Sequence, residues 1–175
     1  MIALSGTPVL ETDRLILRAP QASDWPVFRD FLASDRARFI RTGDFDLSMT
    51  WRSFGHIIGH WVLRGFGVFV WQEKAQDAPL GMTGPWRPET WPEQEIAWSV
   101  WNEGAEGKGL ATEAAIAARA HAFDTLGWET AVSYIHPDNA RSANLARKLG
   151  AILDPNATPM GECHVYRHTR NGVQA

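Results

Sequence analysis

The stretch Glu95-Ile96-Ala97-Trp98-Ser99-Val100-Trp101, followed by Gly107-Lys108-Gly109 and then Leu110-Ala111-Thr112-Glu113-Ala114-Ala115, reads as a strand, a glycine loop and a helix. Strand alternation puts Glu95, Ala97 and Ser99 on one face and Ile96, Trp98 and Val100 on the other. Glycine lets the backbone come close to a ligand. The first N–H groups of a helix have no intrahelical partner, and the helix dipole adds positive potential there. Such an end is suited to an anion. Lys108 adds a charge, and Ala111 and Thr112 keep the first turn small. The loop is not a P-loop, because the GxxxxGK[ST] spacing is absent. It is not a dinucleotide fingerprint either, since the third glycine is missing and no βαβ unit opens the chain. On the loop alone, a plain strand–helix connection remains the alternative.

Working outward, Leu15-Ile16-Leu17 after Thr12-Asp13-Arg14 predicts a first strand. Ser23-Asp24 predicts a cap for a helix whose apolar face is Trp25, Phe28, Phe31 and Leu32. A second helix is expected over about 48–63, with Trp51, Phe54, Ile58 and Trp61, broken by Gly65-Phe66-Gly67. Val68 to Trp71 and Leu80 to Gly84 read as paired strands around the turn Gln76-Asp77-Ala78-Pro79. Pro85 to Glu93 is expected to be loop for much of its length. The alanine-rich helix runs from Leu110 to about Leu126 and is capped by Gly127. Ala131 to Ile135 is a buried strand. Asp138 or Asn139 caps a short helix ending at Leu149-Gly150, and a last strand includes His164 to Arg167. This order predicts a mixed α/β fold, one sheet with helices on both faces.

A chain of 175 residues suits one domain over 1–175, and 45% apolar with 21% charged residues is ordinary for a globular protein. No apolar run approaches the ~18 residues of a membrane helix. Met1-Ile2-Ala3-Leu4-Ser5-Gly6 lacks the pattern of a signal peptide. The one cysteine, Cys163, excludes an internal disulfide framework and fits a reducing cytoplasm. A net charge of −3 without a basic stripe argues against nucleic acid. Nine tryptophans must find cores, pockets or interfaces.

Residues Glu95 to Ala115 resemble the acetyl-CoA motif of the GNAT superfamily, most of all its RimJ/RimL-like branch, whose Q/R-x-x-G-x-G/A loop is typically followed by Thr-Glu-Ala. His136-Pro137-Asp138-Asn139-Ala140-Arg141-Ser142 with Lys148-Leu149-Gly150-Ala151 resembles the family's N-x-x-S and K-L-G-A/F pattern. Leu10-Glu11-Thr12-Asp13-Arg14-Leu15-Ile16-Leu17-Arg18 matches the opening of the same branch. The resemblance implies a single, mostly antiparallel twisted sheet. It implies acetyl-CoA as co-substrate and no metal. The cofactor contacts it implies are Trp98, Ser99, Val100, Glu106, Gly107, Lys108, Gly109, Leu110, Ala111, Thr112 and Asn139. Two positions stand out. Glu106 puts an acid beside the expected diphosphate, and Ala146 stands where many members carry a tyrosine acid.

The implied reaction is direct attack of a primary amine on the acetyl thioester. The amine must first be neutral. At pH 7 this costs roughly 1 kcal/mol for an α-amine with pKa ~8 and about 4.6 kcal/mol for a lysine side chain with pKa ~10.4. Glu95 is the candidate base, against the alternative of a solvated strand-end carboxylate. Ser142 is the candidate acid for the leaving thiolate, and a backbone N–H of the Trp98 to Trp101 strand is expected to meet the oxyanion. Asn139 is a helix cap, a cofactor contact or both, and Glu113 reads as a first-turn acid favoured by the dipole.

Other residues carry weaker signals. His56 and His60 stand one helical turn apart, but Ile57 occupies the place of the zincin glutamate, so a polar helix face is the expectation. Cys163 and His164 would point to opposite faces of a strand. His136 lies near Asn139 at a strand end, and the loop of Trp86 and Trp91 is a candidate for an acceptor wall, with an apolar lid or a dimer contact as the alternative. Three functions follow: acetylation of a protein or peptide N-terminal α-amine, acetylation of a small amine such as an amino acid, polyamine or aminoglycoside, or a non-catalytic acyl-CoA-binding module. The acceptor amine is the expected partner, with no nucleic acid and no membrane, and the chain is expected to be a monomer or homodimer.

Overall fold

Alternating apolar residues in the middle of the chain bury both faces of a central sheet. The computed structural model describes residues 4–41 and 43–170, so Met1 to Ala3 of the N-terminal stretch lie outside the described residues. Its strands are β1 (Leu10–Glu11), β2 (Leu15–Arg18), β3 (Phe69–Glu73), β4 (Gly81–Trp86), β5 (Glu95–Val100), β6 (Thr130–Ile135), β7 (Ile152–Leu153) and β8 (His164–Thr169). Its helices are α1 (Trp25–Ala33), α2 (Leu47–Arg64), α3 (Leu110–Ala120) and α4 (Ala140–Lys148). Among the described residues the strands form one sheet in the order β1-β2-β3-β4-β5-β6-β8-β7. Every neighbouring pair is antiparallel except β5 and β6. The mixed, mostly antiparallel sheet with helices on both faces is as expected.

Alternation along β3 sorts the core. Val68 and Val70 pack with Phe28, Phe31, Phe54 and Ile57 of α1 and α2. Phe69 and Trp71 pack on the other face with Leu110, Ala114 and Ala118 of α3. Each of these large side chains is almost fully buried, and each contributes roughly 1.5–3 kcal/mol. Helix α4 closes the same side as α3 through Ala143 and Ala146 against Ile135 and Tyr166.

Local chemistry accounts for the helix ends. The Asp46 carboxylate accepts the Met49 N–H at 2.7 Å, and Gly65 ends α2 in the left-handed region at φ 74°. Asn139, rather than Asp138, caps α4, its Oδ1 accepting the Ser142 N–H at 3.1 Å. The expected cap at Ser23-Asp24 is not formed on α1. Asp24 instead accepts two bonds from the Arg18 guanidinium and one from the Gln21 N–H, all at 2.8 Å, and ties β2 to the helix start. The alanine-rich helix does reach Leu126, but its last turn, His121–Thr125, is wound as a π-helix. Pro85 and Trp86 continue β4 instead of opening the loop. A proline is tolerated there because β3 stops pairing with β4 at Thr83, so Pro85 has no donor to lose on that side. The strands β1 and β7 are two residues each, too short to leave a periodicity.

Gly81 marks the tightest approach in the sheet. A Cβ there would lie 2.3 Å from the Ser99 carbonyl oxygen and 2.6 Å from the Trp71 ring. Gly81→Ala is expected to lower the unfolding free energy by about 1–3 kcal/mol, read from the midpoint of urea denaturation at unchanged slope.

Candidate active site

Strands β5 and β6 touch at one register pair, Glu95 with Val132. The Val132 N–H donates to the Gln94 carbonyl at 2.8 Å, and the Ser133 hydroxyl donates to the Ile96 carbonyl at 2.7 Å. The two strands make no register pair beyond this point. The Trp101 N–H bonds to Leu80 on the β4 side. Antiparallel alternation then turns the backbone groups of Trp98 and Val100 away from β4 and into the gap. Parallel strands that part leave unpaired backbone donors and acceptors where a ligand can meet them.

Two cavities open from the gap. The larger, of about 910 Å³, lies between the sheet, α2 and the Trp86–Pro92 loop, and Glu95 lines it. The smaller, a groove of about 600 Å³, runs between the start of α3 and α4. Trp98 and Ser142 line both. At this junction the Trp98 indole N–H donates to the Ser142 hydroxyl at 3.1 Å. The groove floor is the glycine loop, with Gly107 and Gly109 at φ 72° and 77°, a region side chains avoid.

Residues 14–152 match the family described as acetyltransferase (GNAT) domain. The chain belongs to the GNAT family. A solved acetyltransferase from Agrobacterium tumefaciens is 37% identical over 97% of this chain and 99% of that one, with a TM-score of 0.88. An acetyltransferase of the GNAT family from Bacillus anthracis is 20% identical over 93% and 98% of the two chains, with a TM-score of 0.74. The ribosomal L7/L12 α-N-protein acetyltransferase RimL, solved with coenzyme A, shares the fold at 15% identity and a TM-score of 0.70 over 95% and 100%. The chain is thus an acetyl-CoA-dependent N-acetyltransferase, and a purely binding module no longer stands as an alternative.

The residues expected at the GNAT cofactor loop divide. Trp98, Val100, Glu106, Gly107, Gly109, Ala111 and Thr112 line the groove. Ser99, Lys108 and Leu110 do not. Ser99 is turned to the opposite face, where its hydroxyl accepts the Trp101 indole N–H at 2.9 Å. Lys108 is exposed, and its carbonyl accepts from Arg14 at 3.0 Å. Leu110 is core. Asn139 caps α4 and lines the larger cavity rather than the groove. Glu113 is more than a dipole-favoured acid. It accepts from the Thr12 hydroxyl and from the Arg14 backbone and guanidinium, fastening the segment before β2 to α3.

Sequence reasoning missed Arg36, Arg141, Asn144 and Leu145. Arg141, Asn144, Leu145 and Lys148 stand at i, i+3, i+4 and i+7 along α4, one helix face, so that spacing could have found the last three of those missed. Arg36 is 70 residues from Glu106 and left no signal, yet it forms an ion pair with Glu106 at 2.6 Å, while Arg141 does so at 2.7 Å.

Glu95 is 8% exposed, not a solvated strand end. Burial pushes its carboxyl up to about 7, against the pull of the Trp91 indole N–H at 2.6 Å and the Tyr134 N–H at 3.5 Å. Cys163 lines the same cavity with its thiol pushed up by burial and by Glu95, the opposite of an activated nucleophile. His136 also reaches this cavity. Trp86 and Trp91 form part of its wall.

His60 is not on a polar helix face. It is buried against Trp86, with one ring nitrogen bonded to the Phe66 carbonyl and the other accepting the Arg87 N–H. Both nitrogens are thereby committed, and burial lowers its pKa. Ala146 is fully buried on the inner face of α4.

The sign of the Glu95 shift sets a pH dependence of stability. The native carboxyl stays protonated above its ordinary 4.5. Its contribution to folding is therefore full below about 4.5 and is lost as pH rises through about 7. Glu95→Gln cannot ionise and escapes that loss. Between pH 5 and 8 the variant is expected to gain up to about 3 kcal/mol on the wild type. Urea denaturation at both pH values measures it, and a constant difference would mean an unshifted carboxyl.

Proposed function

We propose that the chain, folded as one domain, transfers acetyl from acetyl-CoA in the groove to the α-amine of a peptide or protein N-terminus in the larger cavity. The observation that carries this reading is the meeting of the two cavities at Trp98 and Ser142. The diphosphate lies over Gly107 and Gly109 at the start of α3. The acetyl group reaches the gap, where the Trp98 backbone N–H donates a hydrogen bond to the developing oxyanion.

The amine nitrogen bonds to the thioester carbonyl carbon, and the tetrahedral intermediate collapses with loss of the C–S bond. The Ser142 hydroxyl donates a hydrogen bond to the leaving thiolate and keeps its own proton, and the thiolate is protonated by water in the gap. Because the Trp98 indole donates to the Ser142 oxygen, the hydroxyl hydrogen is left free to point at the sulfur. Glu95 takes the ammonium proton. Three strand residues, about 10 Å of rise, separate it from Trp98, so water carries the proton between them.

An α-amine suits this base. A carboxyl poised near 7 can deprotonate an amine of pKa ~8 with little uphill cost, whereas a lysine side chain near ~10.4 demands several kcal/mol more. Structures sharing the fold include a ribosomal-protein-S5-alanine acetyltransferase from Vibrio fischeri and RimL, both described as acting on ribosomal proteins. A cavity of about 910 Å³ also falls within the range of small-molecule sites. That size favours a small amine as the second reading, and a nucleotide-linked sugar GNAT is among the structures of the same fold. No described helix is long and apolar enough to cross a membrane, and the lone Cys163 supports a reducing cytoplasm as the compartment.

Release of CoA against a panel of peptides and small amines decides between the two acceptors. On the best acceptor, Ser142→Ala is expected to lower kcat by at least about tenfold while the Kd for acetyl-CoA changes little, because a group serving the leaving thiolate acts in the transition state. A change in affinity alone would make Ser142 a binding residue. For Glu95, kcat/KM of the wild type is expected to rise with pH through about 7, and Glu95→Gln to lack that limb. The defect of the variant should close near pH 8–9 for an α-amine of pKa ~8 and stay open there for an ε-amine. A defect equal at every pH for both acceptors leaves Glu95 without a role as base.

A further inference from the structure

Glu106 places an acid where the proposed CoA diphosphate approaches, which taken alone is repulsive. Its surroundings reverse that reading. One carboxylate oxygen takes Arg36 Nη1 at 2.6 Å and the other takes Arg141 Nη1 at 2.7 Å. The second guanidinium nitrogen of Arg36 donates to the Val100 carbonyl at 3.0 Å, on the strand end that faces the gap. Arg36 and Glu106 are partly buried, with 24% and 29% of their side chains exposed, whereas Arg141 is 82% exposed. The fixed partners are therefore Arg36 and Glu106, and Arg141 is the one that would otherwise swing freely. Arg141 and Glu106 both line the groove, with Lys148 beside them.

We propose that Glu106 is a positioning residue: anchored by Arg36, it holds the Arg141 guanidinium over the groove as the cation that meets the phosphates of the cosubstrate. The triad carries a net positive charge, and Glu106 spends its own negative charge on ordering the arginine. An exposed arginine loses rotamer freedom when it grips a ligand, and a partner that fixes it beforehand removes part of that loss. The inference rests on the groove being the CoA site. It adds two residues, Arg36 and Arg141, and gives a reason for an acid beside the diphosphate.

The sign of one substitution separates positioning from simple repulsion. Glu106→Gln removes a negative charge beside the diphosphate, so repulsion alone predicts tighter acetyl-CoA binding, and positioning predicts weaker binding. The experiment is titration calorimetry of acetyl-CoA with the wild type, Glu106→Gln, Arg36→Gln, Arg141→Gln and the Glu106→Gln/Arg141→Gln double variant, with melting temperatures to confirm folding. Each single variant is expected to weaken binding about two- to fivefold, the range of a partly exposed ion pair. The double variant should be no weaker than Arg141→Gln, because the two residues act as one unit. Acetyl-pantetheine, which lacks the phosphates, should show equal KM in all variants, and kcat at saturating acetyl-CoA should stay within about twofold. Equal or tighter binding by folded Glu106→Gln, additive losses in the double variant, or the same loss with acetyl-pantetheine would each overturn the proposal while leaving the groove assignment in place. A wild type that fails to bind acetyl-CoA would overturn the groove assignment itself.

Discussion

Everything at the site depends on β5 and β6 pairing once and then parting. A parallel pair that continued would bury the backbone of Trp98 and Val100 in a ladder and leave no place for a ligand. The parting point is held by the Ser133 hydroxyl, which donates to the Ile96 carbonyl, and by His168, whose Nε2 lies 2.9 Å from the same oxygen. The hydroxyl gives its hydrogen to Ile96, so the imidazole must be the donor in the second bond. Burial pushes His168 down to about 3, which keeps the ring neutral and able to serve in that way. Trp98 then fills the space beneath the gap, packing toward α4 and the end of α3. The opening is a designed absence of pairing with a rigid floor.

Much of this was legible in the sequence, because it is written in local terms. The glycine pair before an alanine-rich helix marks the loop, and Gly107 and Gly109 do take positive φ there. The strand alternation of Glu95 to Val100 placed Ala97 and Trp98 on opposite faces, as found. The side chains of Ser99 and Leu110 turn away from the groove, because a motif marks a stretch of chain and packing within it decides which side chain turns inward. For Glu95 the sequence leaves open a base or a solvated strand end. Its burial comes from Trp91, four residues back along the chain, whose loop folds over it, and from the neighbouring β6. Arg36 is brought to Glu106 only by tertiary folding, and no spacing rule reaches that far.

The nine tryptophans divide by function once the fold is known. Trp61, Trp71, Trp101 and Trp128 are almost fully buried in the core. Trp86, Trp91 and Trp98 line the larger cavity. Trp25 and Trp51 meet edge to face on the outside of α1 and α2. The middle group gives the acceptor site rigid apolar walls at low entropic cost, since an indole has only two rotatable bonds to fix. Those walls also keep water away from Glu95 and so sustain the raised pKa on which its proposed role depends.

The two halves of the site are built from different kinds of structure, and this bears on how such an enzyme can diverge. The groove rests on α3, whose Ala114 and Ala115 are wholly buried, so a change there is felt through the core. The larger cavity takes much of its wall from connecting segments: Phe39, Ile40 and Asp44 between α1 and α2, Thr90 to Pro92 before β5, and Pro159 to Gly161 with Cys163 before β8. Segments of that kind tolerate substitution and changes of length far better than packed helices do. A duplicated copy could exchange its acceptor by drift in three loops while inheriting the donor chemistry intact.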